Sequence, residues 1–306
     1  MFKISQIKFL NMDKIVGHTL AKNTLIQNTH IQSWLIYGNR GIGKATLACH
    51  FAQYLTQSTN LNHYNPDLLI INDNEEIIGI EKIRNIKNFL YLSTARFKYR
   101  IVIVDSIDNL TINAINAMLK ILEETPNNSI IILISHNLHK IPAVIRSRCF
   151  TLGLSDLNPY ETQQVVKNNF PHLDYKKISH IYPGTPGMVN QDIDKEIELY
   201  ECFISILFNQ YDNKTIEHAI TTEISFYKVE HILFTIISDL AKETLGISTN
   251  LSDYKHLTDN IKNKINIDQL LSKLSQAQQL ISYAKKFQLD KKSVMLNLIN
   301  IIINLL

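Results

Sequence analysis

At 306 residues the chain is long enough for about two domains of roughly 150 residues each. Its 45% hydrophobic and 19% charged residues are ordinary for a soluble globular protein with a sizeable core, and a formal net charge of +3 neither demands nor excludes a nucleic-acid partner. Three scattered cysteines, Cys49, Cys149 and Cys202, form no C-x-x-C pair, which excludes a cysteine zinc ribbon or redox pair and points to a reducing compartment.

The opening stretch MFKISQIKFLNMDK lacks the long apolar run of a signal peptide. From about residue 33 the text alternates between β-like and helix-like segments. SWLIYG (33–38) reads as a buried strand, followed by a helix from Gly43 or Lys44 to about Leu55. DLLII (67–71) is a second strand, and 80–93 has helical spacing at Ile83, Ile86, Phe89 and Leu90. YRIVIVD (99–105) is a nearly continuous β-branched run, typical of a strand buried on both faces. A helix then carries Ile112, Ile115, Leu119 and Leu122 on one side and stops at Pro126. SIIILISH (129–136) and CFTLGL (149–154) complete the strands, and this alternation predicts βαβ units around a parallel sheet.

Beyond Leu154 helical patterns dominate. Ser155 or Asp156 is placed to cap the first of them, and YPGTPGM (182–188) is the one Gly/Pro-dense break. Segments 196–210, 214–223, 225–246 and 266–306 read as amphipathic helices. The apolar C-terminus, SVMLNLINIIINLL, falls short of the ~18 residues that a membrane span needs. No membrane association is expected, and the location expected is cytoplasmic.

The chemistry concentrates at GNRGIGKAT (38–46). Gly38, Gly41, Gly43 and Lys44 satisfy a phosphate-binding loop, with a strand running in and a helix running out. Glycines let backbone N–H groups approach phosphate oxygens, and the lysine supplies a point charge. Ala45 stands where a hydroxyl should hold Mg²⁺. Thr46 does not replace it, because one residue along a helix turns a side chain by about 100°. Asp105, at the end of IVIVD, is the candidate Mg²⁺ carboxylate. The position after it is Ser106, which cannot polarise an attacking water, and Asp108 lies two residues on.

Several ordered stretches resemble the small subunits of the bacterial DNA polymerase III clamp loader, the delta-prime kind in particular. They are IVGH (15–18), SWLIYGNRGIGKATLA, NAMLKILEETP (116–126) and IPAVIRSRC (141–149), which together cover about residues 15–155. The resemblance implies an AAA+ α/β domain over 1–154, a helical lid over 155–192 and a helical collar over 193–306. It implies a hetero-pentameric ring with gamma/tau and delta subunits that places a sliding clamp on primed DNA. Ser147, Arg148 and Cys149 match the S-R-C motif, with Arg148 as an arginine finger that reaches a neighbour's ATP. Sensor-type polar residues after the fourth strand are Ser135, His136 or Asn137. Hydrolysing members carry a lid arginine near G-S-L-R, where GTPG (184–187) places Gly187. Many relatives hold zinc between the first helix and the second strand, but residues 56–66 contain no cysteine, and His63 alone makes no metal site. No zinc and no required cofactor are expected, although ATP or ADP held without hydrolysis stays open. The metal hydroxyl, the water-polarising acid and the lid arginine are all altered, so a non-hydrolysing subunit is the leading expectation. An active gamma/tau-type ATPase and an unrelated P-loop regulator are the alternatives.

Overall fold

The computed structural model describes residues 15–57, 65–72, 77–190, 192–247 and 267–304. The N-terminal stretch 1–14 and residues 58–64, with His63, lie outside them. By contacts the chain divides into two compact units, one of residues 1–171 with 183–188, the other of 172–182 with 189–306.

The first unit is an α/β sandwich. In chain order it contains α1 (Thr19–Gln27), β1 (Ser33–Tyr37), α2 (Lys44–Thr56), β2 (Leu68–Asn72), α3 (Ile80–Leu90), β3 (Arg100–Asp105) and α4 (Ile112–Glu123). It continues with β4 (Ser129–Ser135), α5 (Ala143–Arg146), β5 (Phe150–Gly153) and α6 (Pro159–Asn169). The five strands lie in the order β2-β3-β4-β1-β5, all parallel, with Leu35 beside Leu133 and Ile103 beside Ile132. Parallel strands need crossover helices on the faces, so both faces of the sheet are apolar.

Alternate residues divide between two cores. Trp34, Ile36, Ile101, Ile103, Ile130, Ile132 and Ile134 pack with α2 on one face. Leu35, Val102, Val104, Ile131 and Leu133 pack with α3 and α4 on the other. Trp34 is fully buried, with the rings of Phe51 and Phe150 edge-on at 5.9 and 5.0 Å.

The expected strands and helices of this unit are present, with shifted edges. The helix before Pro126 buries Leu122 and packs Ile115 and Leu119 against the second core as expected, but its most buried line runs through Ala114 and Met118 and leaves Ile112 out. Thr111 caps it by accepting from the Ala114 amide, and Ala114, Met118, Ile121 and Leu122 are buried. Ile112 is 78% exposed, being the first helical residue and facing away from the sheet. The cap of α6 is Asn158, not Ser155 or Asp156. Its side chain accepts from the Glu161 amide while Glu161 accepts from the Asn158 amide, a reciprocal capping box.

The second unit is helical: α7 (Tyr175–Ile181), α8 (Ile193–Leu207), α9 (Asn213–Thr221), α10 (Phe226–Thr244), α11 (Ile267–Phe287) and α12 (Lys291–Ile303). The stretch read as one segment over 266–306 is two helices. The Asp290 side chain accepts from the Ser293 amide and starts α12. In the interior, Lys228 on α10 donates to Glu196 on α8 at 2.6 Å and to the Tyr182 hydroxyl at 2.8 Å, and Tyr182 also donates to Glu196. Glu196 is fully buried, so each member is needed to keep the others satisfied. No helix among the described residues is long and apolar enough to cross a membrane.

Candidate functional site

The phosphate loop joins β1 to α2 as its pattern requires. Gly38, Gly41 and Gly43 all have positive φ, at 147°, 84° and 100°. At Gly38 a Cβ would lie 2.4 Å from the Leu154 carbonyl oxygen, and at Gly41 it would lie 2.6 Å from Met188. Glycine is therefore fixed at both by local crowding as well as by backbone conformation.

The loop's lysine is turned inward. The Lys44 ammonium donates to the carbonyls of Gly38 and Asn39 at 2.8 and 2.6 Å. Lys44 is only 3% exposed, and burial pulls its pKa down to about 8, opposed by the negative charges of Asp105 and Asp108. The Gly187 amide donates to the Gly41 carbonyl at 2.8 Å. A Cβ on Gly187 would meet that same oxygen at 2.7 Å, so no side chain, an arginine included, fits at this position without movement. Ala45 packs against the Trp34 core, and Thr46 is half-buried one residue further along α2.

At the end of β3, Asp105 is buried with one carboxylate oxygen lacking a hydrogen-bond partner. Burial raises its pKa, while Lys44 acts in the opposite direction. Ser106 takes a left-handed conformation (φ 64°), and its hydroxyl lies 2.9 Å from His136 Nε2. Burial first, and then Lys44, lower the pKa of His136 to about 4, so the imidazole is neutral at pH 7. The pair at the position of a water-polarising acid is thus uncharged.

Asp108 points to the end of β4. It accepts from the Ser135 hydroxyl at 2.8 Å and from the amides of His136 and Asn137 at 2.8 and 3.0 Å. Three donors commit this carboxylate to fixing the β4 turn. The set keeps the Asp105 carboxylate but lacks the loop hydroxyl and the acid after Asp105, and Lys44 bonds carbonyls of its own loop. Among the described residues, no group of three or more His, Cys, Asp or Glu is placed to hold a metal ion.

The S-R-C corner follows α5. The Val144 carbonyl accepts from the Ser147 hydroxyl at 3.1 Å and from Arg148 Nη1 at 3.0 Å. Such carbonyls at a helix end lack intrahelical partners, and here two side chains serve one of them. Cys149 packs against the second core, and burial pushes its thiol up to about 12. Ser147 and Cys149 shape the corner, and Arg148 is the group presented at its surface, 37% exposed as a side chain.

Three features of the site escaped the sequence reading. His18 Nε2 lies 2.8 Å from the Ile42 carbonyl, which ties the IVGH stretch to the phosphate loop. The Asn39 amide donates to both carboxylate oxygens of Asp156 at 2.9 and 3.0 Å. Glu123, the last residue of α4, accepts from Arg148. IVGH and LEE were visible as motif letters, but only the fold supplies their partners.

Residues 16–158 match a family described as "DNA polymerase III, delta subunit". The DNA polymerase III subunit delta' of Buchnera aphidicola subsp. Baizongia pistaciae is 32% identical over 129 residues, covering 41% of this chain and 38% of that protein. Subunit tau of Bacillus subtilis is 33% identical over 146 residues, 42% of this chain and 25% of its own. The chain thus spans between a quarter and about half of the length of the curated relatives it matches. Among solved structures, a gamma subunit-related protein of Thermotoga maritima is similar with a TM-score of 0.48 and 19% identity, over 94% of this chain and 98% of that one. Residues 16–158 are thus similar to the DNA polymerase III delta-prime subunits of clamp loaders and to their gamma and tau relatives.

Proposed function

We propose that the chain is a non-hydrolysing clamp-loader subunit that lends Arg148 to the ATP site of a neighbouring subunit. The observation that carries this reading is a contrast within one unit: Lys44 is spent on its own loop carbonyls, whereas Arg148 stands at the surface. A guanidinium supplied from outside stabilises charge developing on a transferred phosphoryl group and is worth about 10³–10⁵ in rate. The wider reading is a hetero-pentameric ring with gamma/tau and delta subunits in the cytoplasm, loading a sliding clamp onto primed DNA. In it the chain has a lid over 155–192 and a ring-forming collar over 193–306, and requires neither zinc nor its own nucleotide.

A second reading, an active gamma/tau-type ATPase, is favoured by one finding. Relatives named gamma and tau match at 29% and 33% identity, about as well as those named delta'. Steady-state ATPase of the reconstituted loader with clamp and primed DNA separates the two, measured beside the chain alone. An inert lone chain, with turnover of the complex lost on Arg148→Ala, supports the lending reading. Hydrolysis by the lone chain that Lys44→Ala abolishes overturns it.

A further inference from the structure

Arg148 is exposed, yet it is already engaged. Its Nε and Nη2 both donate to one oxygen of Glu123, at 2.9 and 2.6 Å, while Nη1 holds the Val144 carbonyl at 3.0 Å. All three guanidinium nitrogens therefore have partners in their own subunit. A planar guanidinium presents five N–H donors in a fixed fork, so a phosphate that needs two of them side by side competes with Glu123 for the same edge.

We propose that Glu123 is the resting partner of Arg148, holding the guanidinium against its own subunit until a neighbour's ATP phosphates displace the carboxylate. The inference rests on the lending role proposed for Arg148. Two properties of the pair suit an exchange. Both side chains are partly open to solvent, 37% for Arg148 and 50% for Glu123, so the carboxylate regains water when it lets go. The replacement ligand also carries more negative charge than the carboxylate it displaces. Glu123 is then a positioning residue that sets how readily the finger engages. It touches no reacting atom.

The test is ATP-dependent turnover of the reconstituted loader, comparing wild type with Glu123→Gln, Glu123→Ala, Arg148→Ala and the Glu123→Ala/Arg148→Ala double variant. Glu123→Gln keeps shape and removes charge, and thermal unfolding checks that each variant is folded. Both Glu123 variants are expected to lower the KM for ATP about two- to fivefold, the range that an exposed ion pair spans, with kcat nearly unchanged. The gain shrinks between about 0.05 and about 0.5 M salt, as the wild-type pair is screened, and it vanishes in the Arg148→Ala background. Unchanged or raised KM, or a fall in kcat, with Arg148→Ala still damaging, overturns the resting-partner proposal and leaves the lending role standing. Unchanged turnover in Arg148→Ala overturns the lending role, and the proposal with it.

Discussion

Lys44 and Arg148 are the two cations that the motifs single out, and they face opposite fates within one α/β unit. Lys44 is buried, donates to two carbonyls of its own loop and has its pKa pulled down to about 8. Arg148 is partly exposed, and a salt bridge to Glu123 holds it at a helix end. A buried cation bonded to fixed carbonyls is hard to recruit. A surface cation held by one solvated carboxylate and one helix-end carbonyl is easier to recruit, since exposed ion pairs contribute only about 0.2–1 kcal/mol. On the function proposed above, the contrast matters because chemistry would leave this unit at the S-R-C corner and not at the loop.

The largest expected effect tests that division directly. In the assembled loader, Arg148→Ala should cost on the order of 10³ in turnover at the site it serves, and Lys44→Ala at least tenfold less. Equal losses would erase the contrast. Next comes the pH dependence of Lys44. Its folded pKa of about 8 lies below the ordinary 10.5, so between these values the unfolded state binds more protons and stability rises with pH. The penalty is in full force below pH 8 and gone above 10.5, about 3 kcal/mol in all. Urea unfolding across that window should show the stability of wild type rising relative to Lys44→Met, a difference in which the opposite pull of buried thiols such as Cys149 cancels. A flat wild-type difference would mean that the ammonium is better solvated than its burial implies.

Smaller effects sharpen the picture of a closed loop. Gly187→Ala places a methyl 2.7 Å from the Gly41 carbonyl and should destabilise the unit by about 1–3 kcal/mol in chemical denaturation. An unaltered midpoint would show that the 184–188 turn does not press on the loop. Smallest is Asp156→Ala, which removes two exposed hydrogen bonds to Asn39 and should cost about 0.5–1 kcal/mol.

The parts of this molecule legible in the sequence are those encoded by neighbouring residues. The β-branched runs of β3 and β4, the glycines of the loop and the absent hydroxyl at Ala45 needed no knowledge of distant contacts. Ile112 shows the limit of periodicity: its spacing with Ile115 fits a helical face, but the sheet meets the face bearing Ala114 and Met118. Asp108 shows a second limit. Its place two residues beyond Ser106 was legible, but its three hydrogen bonds go to the end of a strand 27 residues away in sequence, which pairs beside β3 only once folded. Glu123 was read as part of an identifying string, and its meeting with Arg148, 25 residues on, depends on the packing of α4 against α5.

The sole tryptophan sits fully buried in β1 between two phenylalanine rings, and the helical unit contains none. Indole emission therefore reports melting of the α/β unit alone, an optical label native to the chain. The loop substitutions can be followed by that light, with the helices of the other unit silent at the same wavelength.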